Sequence, residues 1–175
     1  MTSEIVIQGF AGLAHVFEKA PNLAFERLGA ALYEAELLIE ALAKEKTPVF
    51  TGLLRDSIAA KKPVVENMGL IGVVGSPLKY AIPVELGSAP HMPPLAPLQE
   101  WAFRKLKGNQ KLSKKQTRKT NVDAKDFAMK IAWKIKARGT KGHFMMTNAF
   151  KSATGQVNGI LNKALKQLEK DFKGA

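Results

Sequence analysis

The chain has 175 residues, 46% of them hydrophobic, enough for one domain with a real core and too few for two independent ones. It contains no cysteine, which excludes disulfides and thiolate metal sites and suits a reducing cytoplasm. Its formal net charge of +12 is confined: Trp101–Lys141 holds fourteen Lys/Arg against Asp123 and Asp126, while the remainder balances thirteen against thirteen. The densest part, Arg104–Lys119, has eight basic residues and no acid.

The opening MTSEIVIQGF lacks a basic region followed by an apolar core, so no secretory leader is expected. Within it, Ile5–Phe10 reads as a short strand or as the entry to a helix. Pro21-Asn22 starts a long helix, predicted to run to about Lys46, where Pro48 stops it. Phe25, Leu28, Leu32, Ala35, Ile39 and Leu42 recur at spacings of three and four and form its inward stripe. Glu34, Glu36 and Glu40 interrupt the apolar segment, argue against a membrane span, and are expected to solvate the outer face.

Ser57–Val65 and Leu70–Val74 read as two strands of a hairpin turning at Glu66–Gly69. Because Leu70–Val74 is apolar on both faces, both faces should be covered, one by the long helix and the other by a further element or another subunit. A helical turn at Tyr80–Leu86 ends at Gly87, and a proline-rich stretch leads into a helix carrying Leu95, Leu98, Ala102 and Leu106. Residues 107–121 show no hydrophobic period and are expected to form a long, mobile basic loop. Asp123 is the expected N-cap of a helix with Phe127, Ile131 and Ile135, ended by Arg138-Gly139. A last helix from about Thr147 turns Phe150, Ala153, Val157, Ile160, Ala164 and Leu168 inward. The expected fold is α+β, a single domain over 1–175: a long N-terminal helix and C-terminal helices packed on a small antiparallel sheet.

Two runs turn the chain sharply, Thr47–Ile58 and Tyr80–Leu95. In the first, Pro48, Thr51, Gly52, Leu54, Arg55 and Ser57 form a "Pro, Thr-Gly, Leu-Arg, Ser-Ile" pattern after a long helix. In the second, Tyr80, Ala81, Val84, Glu85 and Gly87 form "Tyr-Ala, Val-Glu-x-Gly" after a hairpin. In this order the set resembles the gene-product-ten-like family of tail components from long-tailed bacteriophages. The proline-rich run, the helix of Trp101, and Gly139 followed by Phe144-Met145 and Ala149 resemble its longer members. The sequence departs at His143, where members often carry Pro, and at Phe50, where a small or acidic residue is common.

The resemblance implies a structural virion protein of the tail and neck, active in tail completion and head–tail joining and assembled in the bacterial host cytoplasm. The partners it implies are further copies in a ring, the head-connector and tail-tube or terminator proteins, and genomic DNA in the channel. No membrane and no cofactor are implied.

From the residues themselves, Thr51-Gly52 redirects the chain from helix to strand, and Arg55 is a candidate partner for Glu85. The histidines His15, His91 and His143 stand far apart and outside any metal-spaced motif, and no phosphate loop or nucleophile elbow occurs. No catalytic or metal-ligating residue is nominated, and no enzymatic activity is expected. Arg104, Lys105, Lys107, Lys111, Lys114, Lys115, Arg118 and Lys119 are the candidate contacts to DNA phosphates or to an acidic protein neighbour; a solvated outer loop is the third reading. Trp101 and Trp133 flank this stretch at helical spacing and are expected to pack inward. The alternative to a tail role is a stand-alone, sequence-independent DNA-binding accessory protein.

Overall fold

The computed structural model describes residues 21–66 and 69–173. The expected strand or helix at Ile5–Phe10, His15 and the tip of the hairpin turn lie outside the described residues. Elements follow in the order α1 (Pro21–Lys46), α2 (Leu53–Ser57), β1 (Ala59–Glu66), β2 (Gly69–Gly75), α3 (Ala81–Leu86), β3 (Gly87–Ser88), α4 (Leu95–Lys107), α5 (Lys114–Arg138), β4 (Thr140–Lys141) and α6 (Met145–Lys173). The α+β class is as read from the sequence. Within the chain the described residues divide into two compact units, 21–81 with 144–173, and 82–143.

In the first unit α1 and α6 run antiparallel. Ala24 and Leu28 meet Leu165 and Leu168, then Ala31, Ala35 and Ile39 meet Ala153, Val157 and Leu161. At the far end Ala43 meets Ala149 and Ile58. Alanines alternate with larger side chains along this seam, a pattern that permits close helix packing. The expected stripe on α1 is correct in its centre. The buried line, however, also takes in Ala24, Ala31 and Ala43, with Phe25, Leu32 and Leu42 at its margin.

β1 and β2 pair antiparallel from Ala59↔Gly75 to Glu66↔Gly69, with a register shift between Lys61 and Val64. Pro63 sits within that shift, where a strand tolerates a residue without an N–H. Helix α1 packs on both strands. Leu70 and Val74 face it and join its core clusters. Ile71 and Val73 point the other way and are 42% and 47% exposed, with Val64 opposite Ile71 exposed as well. Among the described residues one face of the apolar strand is therefore covered by α1, and the other is exposed.

The second unit is a helical hairpin closed by a small clasp. Ala102 of α4 packs with Ala124 and Ala128 of α5, bordered by Leu98, Trp101, Phe103 and Phe127. The Trp101 and Phe127 rings stack with centroids 6.0 Å apart. β3 and β4 form the clasp, Gly87↔Lys141 and Ser88↔Thr140.

Two expectations fail here. Residues 107–121 are not a long loop: α5 begins at Lys114, leaving only Gly108–Ser113 between the helices. Asp123 is not an N-cap but lies inside α5. The cap is Ser113, whose hydroxyl accepts from the Gln116 N–H while the Gln116 side chain accepts from the Ser113 N–H at 2.9 Å. The helix escapes a search for apolar periodicity because its buried line is alanine, at 124, 128 and 132, with Phe127, Ile131 and Ile135 half-buried beside it. Its C-terminal end is as expected, closed by Gly139 at φ 67°.

Candidate functional site: two turns and a basic helical hairpin

The first motif fastens the end of α1 to the sheet. Thr47 is buried, its hydroxyl donating to the Ala43 carbonyl at 2.6 Å and lying 3.2 Å from Met145 Sδ. Pro48 follows and is exposed. The Thr51 hydroxyl accepts a long bond from the Leu53 N–H at 3.4 Å, and Gly52 takes φ 88°, a left-handed turn that starts α2. Leu54 is buried under that turn. The Ser57 hydroxyl donates to the Leu54 carbonyl and meets the Ser76 hydroxyl at 2.8 Å, tying the two ends of the hairpin together. Arg55 is exposed and donates from Nε to Asp56 at 2.9 Å. Between these anchors Val49, Phe50 and Leu53 are exposed to solvent.

The second motif fastens the clasp. The Val84 carbonyl accepts from the His143 N–H at 2.9 Å. Gly87 (φ 86°) and Gly139 face each other's strands so closely that a Cβ on either would run into a backbone carbonyl, Thr140 or Ser88. Glu85 is half-buried in this segment, while Tyr80 and Ala81 precede it, exposed and half-buried. The Ser88 N–H donates to the Thr140 hydroxyl at 3.0 Å. His91 Nδ1 lies 2.9 Å from the Ala89 carbonyl, a local turn contact. Among the described residues no cluster of His, Asp or Glu is arranged to hold a metal ion.

The eight candidate cations gather at the closed end of the α4–α5 hairpin. Arg104, Lys105 and Lys107 occupy the last turn of α4, Lys111 the connection, and Lys114, Lys115, Arg118 and Lys119 the first turns of α5. Only Arg104 has a carboxylate partner among the described ion pairs, Glu100 at 2.6 Å, and Lys105 lies over the Trp101 ring at 4.9 Å. Unit 82–143 holds fourteen basic and four acidic residues, +10, against +2 for the remainder. Trp101 packs as expected. Trp133 does not: it is 56% exposed on the outside of α5, beneath the Lys136 ammonium at 4.7 Å.

The sequence also misplaces two carboxylates, Glu36 and Glu40, both of which turn toward the sheet instead of solvating the outer face of α1. Glu36 does not solvate the outer face of α1; it is 3% exposed beneath β2, and neither oxygen has a hydrogen-bond partner. It fits because position 72 is glycine, since a Cβ there would overlap the carboxylate. Burial pushes its pKa up to about 7, the nearby Val73 backbone offsetting part of that rise. Glu40, four residues on, is the opposite case. It accepts from Lys44 and from the Ala60 N–H, each at 2.6 Å, and these bonds hold its pKa below the usual value. Glu34 is exposed, as expected.

No helix among the described residues is long and apolar enough to cross a membrane. No curated protein and no solved structure matches the chain significantly. A family model described as "Bacteriophage HK97-gp10, putative tail-component" matches residues 16–87. The span takes in α1, both turn motifs and the hairpin, and ends at Gly87; the proline-rich run, the α4–α5 hairpin and α6 lie beyond it. From residue 16 to residue 87 the chain is thus matched to the HK97-gp10-like tail-component family of bacteriophages, the family that the two turn motifs resemble.

Proposed function

We propose that the protein is a non-enzymatic structural component of a phage virion that acts in tail completion and head–tail joining, as one copy of a neck ring around the DNA channel. The observation that carries this reading is the family match over residues 16–87, which take in α1, the hairpin and both turn motifs. The surface left by that unit supports it. Ile71, Val73 and Val64 form an open apolar sheet face, and Val49, Phe50 and Leu53 project from the first turn. Apolar side chains held out on a hairpin and on a fastened loop suit contact with a neighbouring copy or a connector protein.

A stop codon in the gene of the parent phage tests the reading. Filled heads beside separate tails in electron micrographs of the lysate are expected, and normal infectious particles contradict it. The second reading, a DNA-binding accessory protein acting alone, is favoured by the charge of the second unit, nearly all of which lies beyond the matched span.

A further inference from the structure

We propose that the outer face of α5 is a docking surface for the phosphate backbone of duplex DNA, bound without regard to sequence. The face lies opposite the alanine line. Arg118, Lys125 and Lys136 run along one side of it and Lys119 and Lys130 along the other, with Lys115 between them. All six are exposed. From Lys115 to Lys136 they extend over about 32 Å of helix axis, close to the rise of one duplex turn, about 34 Å. Lys136 is held over the Trp133 ring, which restricts where that cation sits.

The placement of these charges has no evident benefit for folding. Lys114, Lys115, Arg118 and Lys119 crowd the N-terminal end of α5, the positive end of its dipole, where acidic side chains stabilise and cations cost free energy. The first turn holds no acid, and the capping box uses the neutral Gln116. None of the four has an ion-pair partner among the described residues. Exposed Asp123 and Asp126 lie among these cations, four residues from Lys119 and from Lys130, so the face carries six basic side chains against two acids. A net-cationic rod on a rigid helix complements an extended polyanion and would release its condensed counterions. Val122 and Trp133 are too few apolar groups to enter a bilayer, and one tryptophan is too little for a stacking path along a single strand.

The proposal does not rest on the tail reading. Its test is a fluorescence-anisotropy titration of the full-length chain with a 30-base-pair duplex of arbitrary sequence, repeated at several salt concentrations. The variant Lys115→Gln/Arg118→Gln/Lys119→Gln should bind at least tenfold more weakly. Its log–log salt slope should fall by about 3, roughly 0.9 for each phosphate that is no longer neutralised. A control with the same reduction of charge on the other unit, Lys163→Gln/Lys166→Gln/Lys170→Gln, should stay within about twofold of the unaltered protein, and circular dichroism should show both variants equally helical. Equal weakening in the two variants, an unchanged α5 variant, or displacement of the duplex by polyglutamate at equal charge concentration each overturn the proposal. A negative titration removes this face as a DNA site and leaves the tail role to the lysate experiment.

Discussion

The two units of this chain are stabilised in different ways. In the first, Leu28, Ile39, Leu54, Ile58, Met145, Val157, Leu161, Leu165 and Leu168 are buried, and the first turn motif locks α1 to the hairpin. In the second, the fully buried side chains are all alanines, Ala102, Ala124, Ala128 and Ala132. Burying an alanine removes little apolar surface, at about 25 cal/mol per Å², so this unit depends more on its Trp101–Phe127 stack, its helix cap and its glycine clasp. The first unit resembles a scaffold and the second carries the charge; the difference separates a surface suited to assembly from one suited to a polyanion.

The contrast should show most clearly at the clasp. Gly139→Ala places a Cβ against the Ser88 carbonyl at a positive φ, and should cost more than about 3 kcal/mol. Hydrogen exchange should then show amides of α4 and α5 losing protection while those of α1 and α6 keep theirs. Uniform loss over both units would show that they are not separate.

The first unit has its own weak point in Glu36. Its folded pKa of about 7 lies above the unfolded value near 4.5, so the folded state holds the proton more tightly. The stability this gives is full below about pH 4.5 and is lost as pH rises to about 7, by up to about 3 kcal/mol. Denaturant melts of the unaltered protein and Glu36→Gln at pH 5 and pH 8 check this; the variant should lose much less on going to pH 8. Gly72→Ala should destabilise by about 1–3 kcal/mol by expelling the carboxylate, and Glu36→Ala in the same chain should recover part of that loss.

At α5 the cap can be removed alone. Ser113→Ala should cost about 1 kcal/mol, seen as faster exchange confined to the first turns of that helix. The smallest effect is expected at Arg55, whose Asp56 partner is exposed: Arg55→Ala should change stability by less than about 0.5 kcal/mol. A larger loss, matched by Glu85→Ala, would support the pairing of Arg55 with Glu85 that the sequence suggests.

The scaffold was legible because its signals are periodic or punctuated. The apolar stripe and Pro48 define α1, and Thr51-Gly52 and Gly87 mark the turns where the chain reverses. The start of α5 was not legible by that route, since alanines and threonines give no apolar period. The signal the sequence does carry there is the Ser113-Lys114-Lys115-Gln116 capping pattern. Glu36 was missed because a carboxylate among apolar residues reads as solvated, and only the glycine at position 72, far along the chain in β2, makes room to bury it. Trp133 was placed inward because helical spacing ignores which face is already filled by small residues.

The division of labour between the units is tested most directly by complementing the interrupted gene with two variants and imaging the particles. The sheet-face variant Ile71→Thr/Val73→Thr should leave filled heads and tails unjoined. The α5 variant Lys115→Gln/Arg118→Gln/Lys119→Gln should give joined particles that retain or deliver their DNA poorly. The same phenotype from both variants, or joined and infectious particles from the sheet-face variant, would contradict the account.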